Sequence, residues 1–547
     1  MFSFYVIINK KQKGELGLNY VDLIEKRAAL NSDVKYNPLQ NRIVENKSNN
    51  MILAHPVGSG KTLSGIAKFE DLKKQGRANK ALVVTPAGLR QNYAEDGVQK
   101  FTNSKYNVIG NKAEIQKKTG FDPDPNADYN IISYEKFRSD PKKYLKETGA
   151  DTLIVDEIQK LRNPGTSTLN SFKDTSQDYK NLIGLTGSVV SNKISDIYNL
   201  VDLASHGNHN LGKSQKDFES KFLRRSMNPK YMNMSESRRP IVGFKNKKVL
   251  EDELRKYIDY ADIDDVRDMA KIPPSKINTI KVPMSQKQAK IYKQLLNDNP
   301  KLRKLILQKK KETLRDDEVA STYNQMIEAR KLMNSVGSVI PKIPLSESAK
   351  ITPKTKKLLD DMEEHLKNTP DGQAVLLTNL INGGSDVLEA GLKERGIDYG
   401  RFLGKGNEGV TEESRQQDVR DYKNNKKRVM VISGAGAEGI SLGNTTWEGV
   451  LDPHYNPERM NQMEARGIRA FGQSNRPEDE RLVNVNRYIS TMPKTLGIIK
   501  SKYKTPDEAI YEIAENKRKQ NELLTNLLKD MNKPKEKNVL KRLLKRR

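Results

Sequence analysis

The sequence predicts an α/β protein: two parallel-sheet lobes joined by a mostly helical insert, followed by a C-terminal helical tail. Three observations carry this. The chain is 547 residues long, more than one hydrophobic core organises. Two separate stretches alternate short apolar runs with helical patterns, the rhythm of parallel strands wrapped by helices. The stretch between them lacks such runs and is polar, Lys-rich and helical in period.

Residues 1–35 read as an N-terminal arm. In "MFSFYVIINKK" the apolar part precedes the lysines and no small-residue cleavage site follows, so a strand or packed arm fits better than a targeting signal. Residues 36–204 form the first lobe, with the runs "NMILAH", "KALVVTP", "DYNIISY", "TLIVDE" and "NLIGLTG". Residues 205–351 form the insert, helical in "SQKQAKIYKQLL" and "NQMIEARKLM" and without strands of that kind. Residues 352–492 form the second lobe, with "QAVLLTN", "KRVMVISG", "EGVLDPHY" and "RLVNVNRYIS". Residues 493–547 form a basic helical tail. Thr505 can cap its helix, Pro506 suits the first position, and Asp507 and Glu508 favour the N-terminus. The closing "KRLLKRR" is either a phosphate-binding extension or a solvated end.

Composition narrows the function. No run approaches the ~18 apolar residues of a membrane span. There is no cysteine, which excludes disulfides and thiolate metal sites and suits a reducing, intracellular compartment. His206 and His209 lie close together, but in the polar loop "SHGNHN"; a structural metal is not expected. Lys+Arg number 97 against 70 Asp+Glu, a net charge of +27, which points to a polyanionic partner. Aromatics are only 6% and are not interleaved with basic clusters, so a base-stacking platform is not evident. Charge and amides suffice to track a phosphate backbone.

"HPVGSGKT", His55 to Thr62, follows an apolar run and opens a helical one, the arrangement of a phosphate cradle. Gly58, Ser59 and Gly60 form the loop, the glycines letting backbone amides approach phosphates. Lys61 reaches the β- and γ-oxygens, and Thr62 holds Mg²⁺. "TLIVDEIQK" supplies Asp156, for the Mg²⁺ shell, and Glu157, to orient and deprotonate the attacking water. In "NQMEARGIRAFGQ", Gln462, Arg466, Arg469 and Gln473 recur at helical spacing with no carboxylate among them. That predicts one helical face built to meet an anion.

The order of these motifs resembles the Swi/Snf-type branch of superfamily-two helicases, ATP-driven double-stranded DNA translocases. "AHPVGSGKT" is similar to A-D-E-M-G-L-G-K-T, "LVVTPAGLRQNY" to L-I-V-x-P-x-S-L-x-x-x-W, and "DEIQKLRNP" to D-E-A-H-x-L-K-N. "LTGSVVSNKISDIYNLVDL" is close to L-T-G-T-P-x-Q-N followed by E-L-Y-N-L, and "PMSQKQAKIYKQLL" to S-x-x-Q-x-x-x-Y. In the second lobe "FLGKGNEGVTEESRQQDVRDYKN", "VISGAGAEGISL" and "LDPHYNPERMNQMEARGIRAFGQ" resemble the branch's remaining motifs. The likeness runs from about Asn37 to Tyr488 in family order.

That resemblance implies two RecA-like lobes and an ATP site shared between them, with ATP and Mg²⁺ bound. Arg469 acts as an arginine finger on the γ-phosphate and Arg466 supports it. Gln40 reads adenine, although Leu39 replaces the usual tyrosine before it. Gly439 lines the nucleotide cleft, and Gln462 is a further nucleotide-binding residue. Thr186 couples hydrolysis to DNA contact, and Gln159 stands where the box histidine is expected. Thr85, Ser133, Thr378 and Ser433 match positions that contact backbone phosphate. His55-Pro56 departs from Asp-Glu, and Tyr455 replaces tryptophan. The implied partner is double-stranded or branched DNA, with replication, recombination or transcription proteins as further partners. The alternatives are a strand-separating or branch-migrating helicase and a transcription-complex ATPase. The compact, Lys- and Asn-rich, cysteine-free chain resembles phage and large-virus members, which implies host cytoplasm or nucleoid.

Overall fold

A computed structural model describes residues 34–56, 58–116, 120–187, 193–268, 270–306, 322–404, 409–434, 440, 442–469, 472–493 and 503–532. The arm expected over residues 1–35 falls almost wholly outside these, as does the terminal "KRLLKRR".

The first sheet has seven strands: β1 (Met51–Ala54), β2 (Ala81–Thr85), β3 (Tyr106–Val108), β4 (Tyr129–Ser133), β5 (Thr152–Asp156), β6 (Asn181–Thr186) and β9 (Ile258–Tyr260). Their order is β3-β4-β2-β5-β6-β1-β9 and every pairing is parallel. Between β6 and β9 lie β7 (Leu223–Arg225) and β8 (Ile241–Phe244), paired antiparallel as a separate hairpin. The second sheet contains β10 (Ser275–Pro283), β11 (Gln373–Thr378), β12 (Tyr399–Phe402), β13 (Val429–Ser433), β14 (Thr445–Val450) and β15 (Val483–Thr491). It is also all-parallel, in the order β10-β15-β14-β11-β13-β12.

The apolar runs read from sequence are these central strands. β1, β2, β4, β11, β13 and β14 are buried along their whole length, as strands covered on both faces must be. Leu82, Val84, Leu153 and Leu182 pack into one cluster, and Leu53, Val83, Ile131 and Ile183 into another on the opposite face. Because all strands run one way, Thr85, Ser133, Asp156 and Thr186 end together at one edge of the first sheet. Ligands of open parallel sheets bind at that carboxyl edge.

One expectation needs correction. The segment 205–351 does contain sheet strands: β9 joins the first sheet and β10 runs nine residues alongside β15 in the second. Sequence hid them because β9 has three residues and β10, "SKINTIKVP", is a largely exposed edge strand with no continuous apolar run.

The tail helix Pro506–Asn532 packs against both lobes. Thr505 caps it reciprocally with Glu508. Ala509, Ile510 and Ile513 join a helical cluster around Tyr292 and Leu332, while Leu524, Leu527, Leu528 and Met531 enter the core of the first lobe. Its 27 residues span about 40 Å. A buried pair, Lys354 Nζ to Asp507 Oδ2 at 2.6 Å, fixes the near end beside the second sheet. Asn532 Nδ2 donates to the Tyr260 carbonyl at 2.6 Å and fixes the far end beside the first.

Candidate active site

β1 delivers the chain into the loop His55–Gly60. Gly58 (φ 88°) and Gly60 (φ 79°) both sit in the left-handed region, which explains why glycine stands at each. Gly60 opens the helix Lys61–Lys74 with no side-chain cap, so the first amides of that helix are left for another acceptor. Ser59 Oγ is buried without a hydrogen-bond partner. Lys61 Nζ donates to the Pro56 carbonyl at 3.2 Å. Burial lowers the Lys61 pKa; Glu157 and Asp156 push it back up, and Arg469 lowers it further.

The carboxylates come from the end of β5, two strands from β1. Asp156 Oδ2 accepts from Thr85 Oγ1 at 3.1 Å, and Oδ1 accepts from the Glu157 amide at 3.1 Å. Burial, then the charge of Glu157, pushes the Asp156 carboxyl up to about 7. Glu157 has φ 56° and ψ 46°, an uncommon conformation for a residue with a side chain and one found at functional sites. Gln159 Nε2 donates to Glu157 Oε2, so Gln159 holds the carboxylate from its own side of the cleft. Thr62 is half-exposed at the loop's end, and its methyl faces Gly97.

The second lobe contributes Arg469. The helix expected through Gln473 stops at Glu464. Gly467 lies against Glu448, whose Oε1 accepts the Gly467 amide at 3.1 Å, and the chain turns there instead of continuing. The single helical face predicted for Gln462, Arg466, Arg469 and Gln473 is therefore wrong. Gln462 is half-buried on the helix. Gln473 (φ 53°) stitches Thr445 and Leu482 together inside the lobe. Arg466 and Arg469 follow the helix in a turn, with Ile468 between them packed against a cluster that holds Leu39, Ala261, Val266, Ala270 and Ile272. Arg469 Nη2 donates to the Ile440 carbonyl at 2.6 Å, and Nε has no partner. Burial and the neighbouring Arg466 lower the Arg469 pKa to about 9. No carboxylate pairs with Arg469 among the described residues.

Gln40 is buried on the helix Pro38–Glu45. Its Oε1 accepts the Asn37 amide at 2.9 Å, and its Nε2 lies 2.8 Å from where a Cβ on Gly60 would be. Gly439 lies outside the described residues. Thr186 ends β6, and its carbonyl accepts the His55 amide at 3.1 Å.

The four hydroxyls matched to phosphate contacts are all at carboxyl ends of strands but are turned inward. Thr85 bonds Asp156. Ser133 caps the helix Tyr134–Ser139. Thr378 donates to Asp452 Oδ1 at 2.6 Å, and Ser433 Oγ accepts the Gly404 amide at 3.1 Å. All four are buried. In this arrangement each of the four hydroxyls is engaged within its own lobe.

The departure at His55 acquires a cause. His55 is fully buried, and its Nε2 lies 2.7 Å from Asp259 Oδ1. Asp259, on β9, also accepts from Arg42 Nε at 3.0 Å, and Arg42 Nη2 donates to the Tyr260 carbonyl at 3.1 Å. This chain of contacts ties the loop's entry to β9 and to the helix carrying Gln40. The sequence offered no signal for it, since His55 and Asp259 are 204 residues apart. Two tyrosines were missed as well. Tyr134 OH donates to the Asp156 carbonyl at 2.6 Å. Tyr93 OH is buried with no partner and feels the Asp156 charge.

The residues fit a bound nucleotide phosphate and its cation. Uncapped amides, an orphaned Ser59 hydroxyl, Lys61 and a buried Arg469 form an anion-binding set. Asp156 and Thr62 suit Mg²⁺, which is held by one or two protein oxygens with phosphates completing its shell. Among the described residues no cluster of three His, Asp or Glu side chains could hold a metal alone.

Residues 35–338 match the SNF2-related domain, more than half of the chain, and residues 356–471 match the helicase conserved C-terminal domain. The chain belongs to the SNF2-related family. The chain is 30% identical over 149 residues to L538 of Acanthamoeba polyphaga mimivirus, whose name describes an ATP-dependent RNA helicase; this takes in 27% of the chain and 32% of that protein. It is 29% identical over 170 residues to protein CHROMATIN REMODELING 25 of Arabidopsis thaliana, 29% of the chain and 18% of that protein. Chromodomain-helicase-DNA-binding protein 8 of Danio rerio matches at 23% over 475 residues, 81% of the chain and 17% of that protein. The chain thus spans a third or less of these relatives. Among solved structures, the Sulfolobus solfataricus SWI2/SNF2 ATPase core in complex with dsDNA aligns with a TM-score of 0.36 and 20% identity, over 84% of this chain and 88% of that one. No helix among the described residues is long and apolar enough to cross a membrane.

Proposed function

We propose that this SNF2-family chain is a DNA-dependent ATPase that moves along double-stranded or branched DNA and remodels DNA or protein–DNA complexes. The observation that supports it most is the placement of Arg469. A guanidinium buried against a backbone carbonyl, with no carboxylate partner among the described residues, lies near enough to Lys61 for each charge to be felt, and Lys61 in turn feels Glu157 and Asp156. Such a group gains a charge-assisted partner when a triphosphate lies between the sheets.

On this reading the loop amides, Ser59 and Lys61 bind the phosphates, and Gln40 packs where the base enters. Thr62 and Asp156 hold Mg²⁺, which supplies charge neutralisation at the β- and γ-oxygens. Glu157, held by Gln159, orients and deprotonates the attacking water. Arg469, supported by Arg466, stabilises charge on the transferred phosphoryl, an effect worth about 10³–10⁵ in rate in nucleotide hydrolases. Closure with ATP and opening after hydrolysis would alternate the grip of the two lobes on a phosphate backbone.

The net charge of +27 supports a polyanionic track, and the absence of cysteine supports a reducing compartment. The test is the ATPase rate with double-stranded DNA, single-stranded DNA, branched DNA and RNA at several salt concentrations. Stimulation by duplex or branched DNA that falls steeply with salt is expected. Equal rates with and without any nucleic acid would refute the proposal.

A further inference from the structure

The hairpin β7–β8 stands outside both main sheets. β8 feeds the helix Lys247–Tyr257, which runs to the amino end of β9. Its 11 residues rise about 16 Å, about the height of a five-residue strand. The hairpin base therefore hangs at the carboxyl edge of the first sheet. Side chains agree. Arg225 Nη2 donates to Glu219 Oε2 at 2.7 Å, and Glu219 Oε1 accepts from Ser195, which precedes the helix that follows β6.

The loop that joins the two strands, residues 226–240, presents an unusual surface. Met227 is 73% exposed and Met232 45%, and Val242 on β8 is 46% exposed. Arg224 and Arg238 are exposed and Arg239 half-exposed. None of the three has a carboxylate partner among the described residues. Residues 223–245 carry six basic side chains and one acidic, Glu236. Arg239 Nη1 lies 4.0 Å from Met227 Sδ, so cation and thioether share a face.

We propose that this hairpin is a pin that engages a duplex–single-strand junction of nucleic acid, with Arg224, Arg238 and Arg239 on phosphates and Met227 and Met232 against base faces. The charge selects a polyanion. The methionines select the place on it: a thioether gains nothing from a hydrated phosphate but packs on bases where a duplex opens, as apolar wedges do. The carboxyl-edge position puts the pin on the same side as the cleft. The proposal builds on nucleic acid as the track, yet the contact itself requires no hydrolysis.

The experiment uses the full chain without nucleotide and a forked DNA carrying 2-aminopurine at the junction. Wild type should raise the junction fluorescence. Met227→Ser/Met232→Ser should abolish that rise while changing blunt-duplex affinity less than about twofold. Arg224→Gln/Arg238→Gln/Arg239→Gln should weaken binding to every DNA and reduce the salt slope by roughly 2–3. These positions are at the surface, and unchanged melting temperatures confirm that both variants fold. A junction rise that survives the methionine change overturns the pin. So does loss of anionic-vesicle binding in the variants with fork binding intact. Lys61→Ala should keep the junction rise; wild type that shows the rise but no DNA-stimulated ATPase overturns the translocase reading and leaves the pin standing.

Discussion

Replacing Leu528 by alanine should release the far half of the tail helix from the first lobe while the near half stays attached. Leu528 is 0% exposed, packed with Leu524, Leu527 and Met531 into the cluster that also holds Leu250 and Leu254. Leucine-to-alanine changes in closed cores cost about 2.7–5 kcal/mol. Of the polar contacts at this end, Lys247–Asp530 at 3.5 Å joins two exposed groups, a kind of pair worth at most about 1 kcal/mol, and the Asn532–Tyr260 hydrogen bond holds only the last residue. The near end keeps the buried Lys354–Asp507 pair and the Ser490 amide on Asp507. A loss of about 3 kcal/mol corresponds to exchange faster by roughly two orders of magnitude if local opening controls it. Hydrogen exchange followed by mass spectrometry reads this directly. Peptides covering residues 520–532 should accelerate about a hundredfold, and those covering 506–514 should not. Acceleration below about threefold at the far end, or equal acceleration at both ends, would refute the picture of a helix fastened separately to two lobes.

Other expectations follow from the site. Glu157→Gln should bind ATP with near-normal affinity and lose hydrolysis, a trapped complex that equilibrium binding and single-turnover rates detect together; hydrolysis at the wild-type rate would exclude Glu157 as the base. Asp259→Asn leaves Arg42, whose side chain is 43% exposed, without its carboxylate and His55 with a neutral neighbour; solvent screening of Arg42 keeps the cost to about 1 kcal/mol. Its urea midpoint should drop and its KM for ATP rise more than kcat falls; unchanged values in both would mean the His55–Asp259–Arg42 contacts do not position the loop. The histidine contribution to stability should decline as pH falls below about 6.5, outweighing the opposite and smaller contribution of Asp156, a single carboxyl held up at about 7. Burial holds His55 below its ordinary pKa, and burial with Arg459 and Arg330 lowers His454 to about 3. The unfolded chain therefore takes up these protons first, and each histidine removes up to about 1.4 kcal/mol per pH unit. Urea titrations at pH 7.5, 6 and 5 with coincident midpoints would contradict this.

The central strands were legible in the sequence because both of their faces are covered, so runs such as Val83-Val84 and Ile131-Ile132 are apolar without interruption. β9 and β10 were not, because an edge strand shows water one side and its sequence alternates or turns polar. The loop at Gly58 and Gly60 and the pair Asp156-Glu157 could be read because local spacing encodes their geometry. The arginine face could not. Periodicity extended the helix to Gln473, whereas Gly467 against buried Glu448 ends the regular path after Glu464, a tertiary event with no local signature. The four strand-end hydroxyls show the same limit: sequence placed Thr85 and Thr378 at the right edge, but Asp156 and Asp452 decide which way they point. The tail's alternating charges masked Leu524, Leu527, Leu528 and Met531, which form a stripe that only a partner surface reveals as core.

In the proposed mechanism one nucleotide bridges both lobes, and Arg469→Ala examines that bridge most directly. ATP dissociation constant and DNA-stimulated turnover should be measured on the same preparation. Turnover should fall by about 10³ or more, with ATP affinity changed less than about tenfold. Turnover within a few-fold of wild type would contradict it.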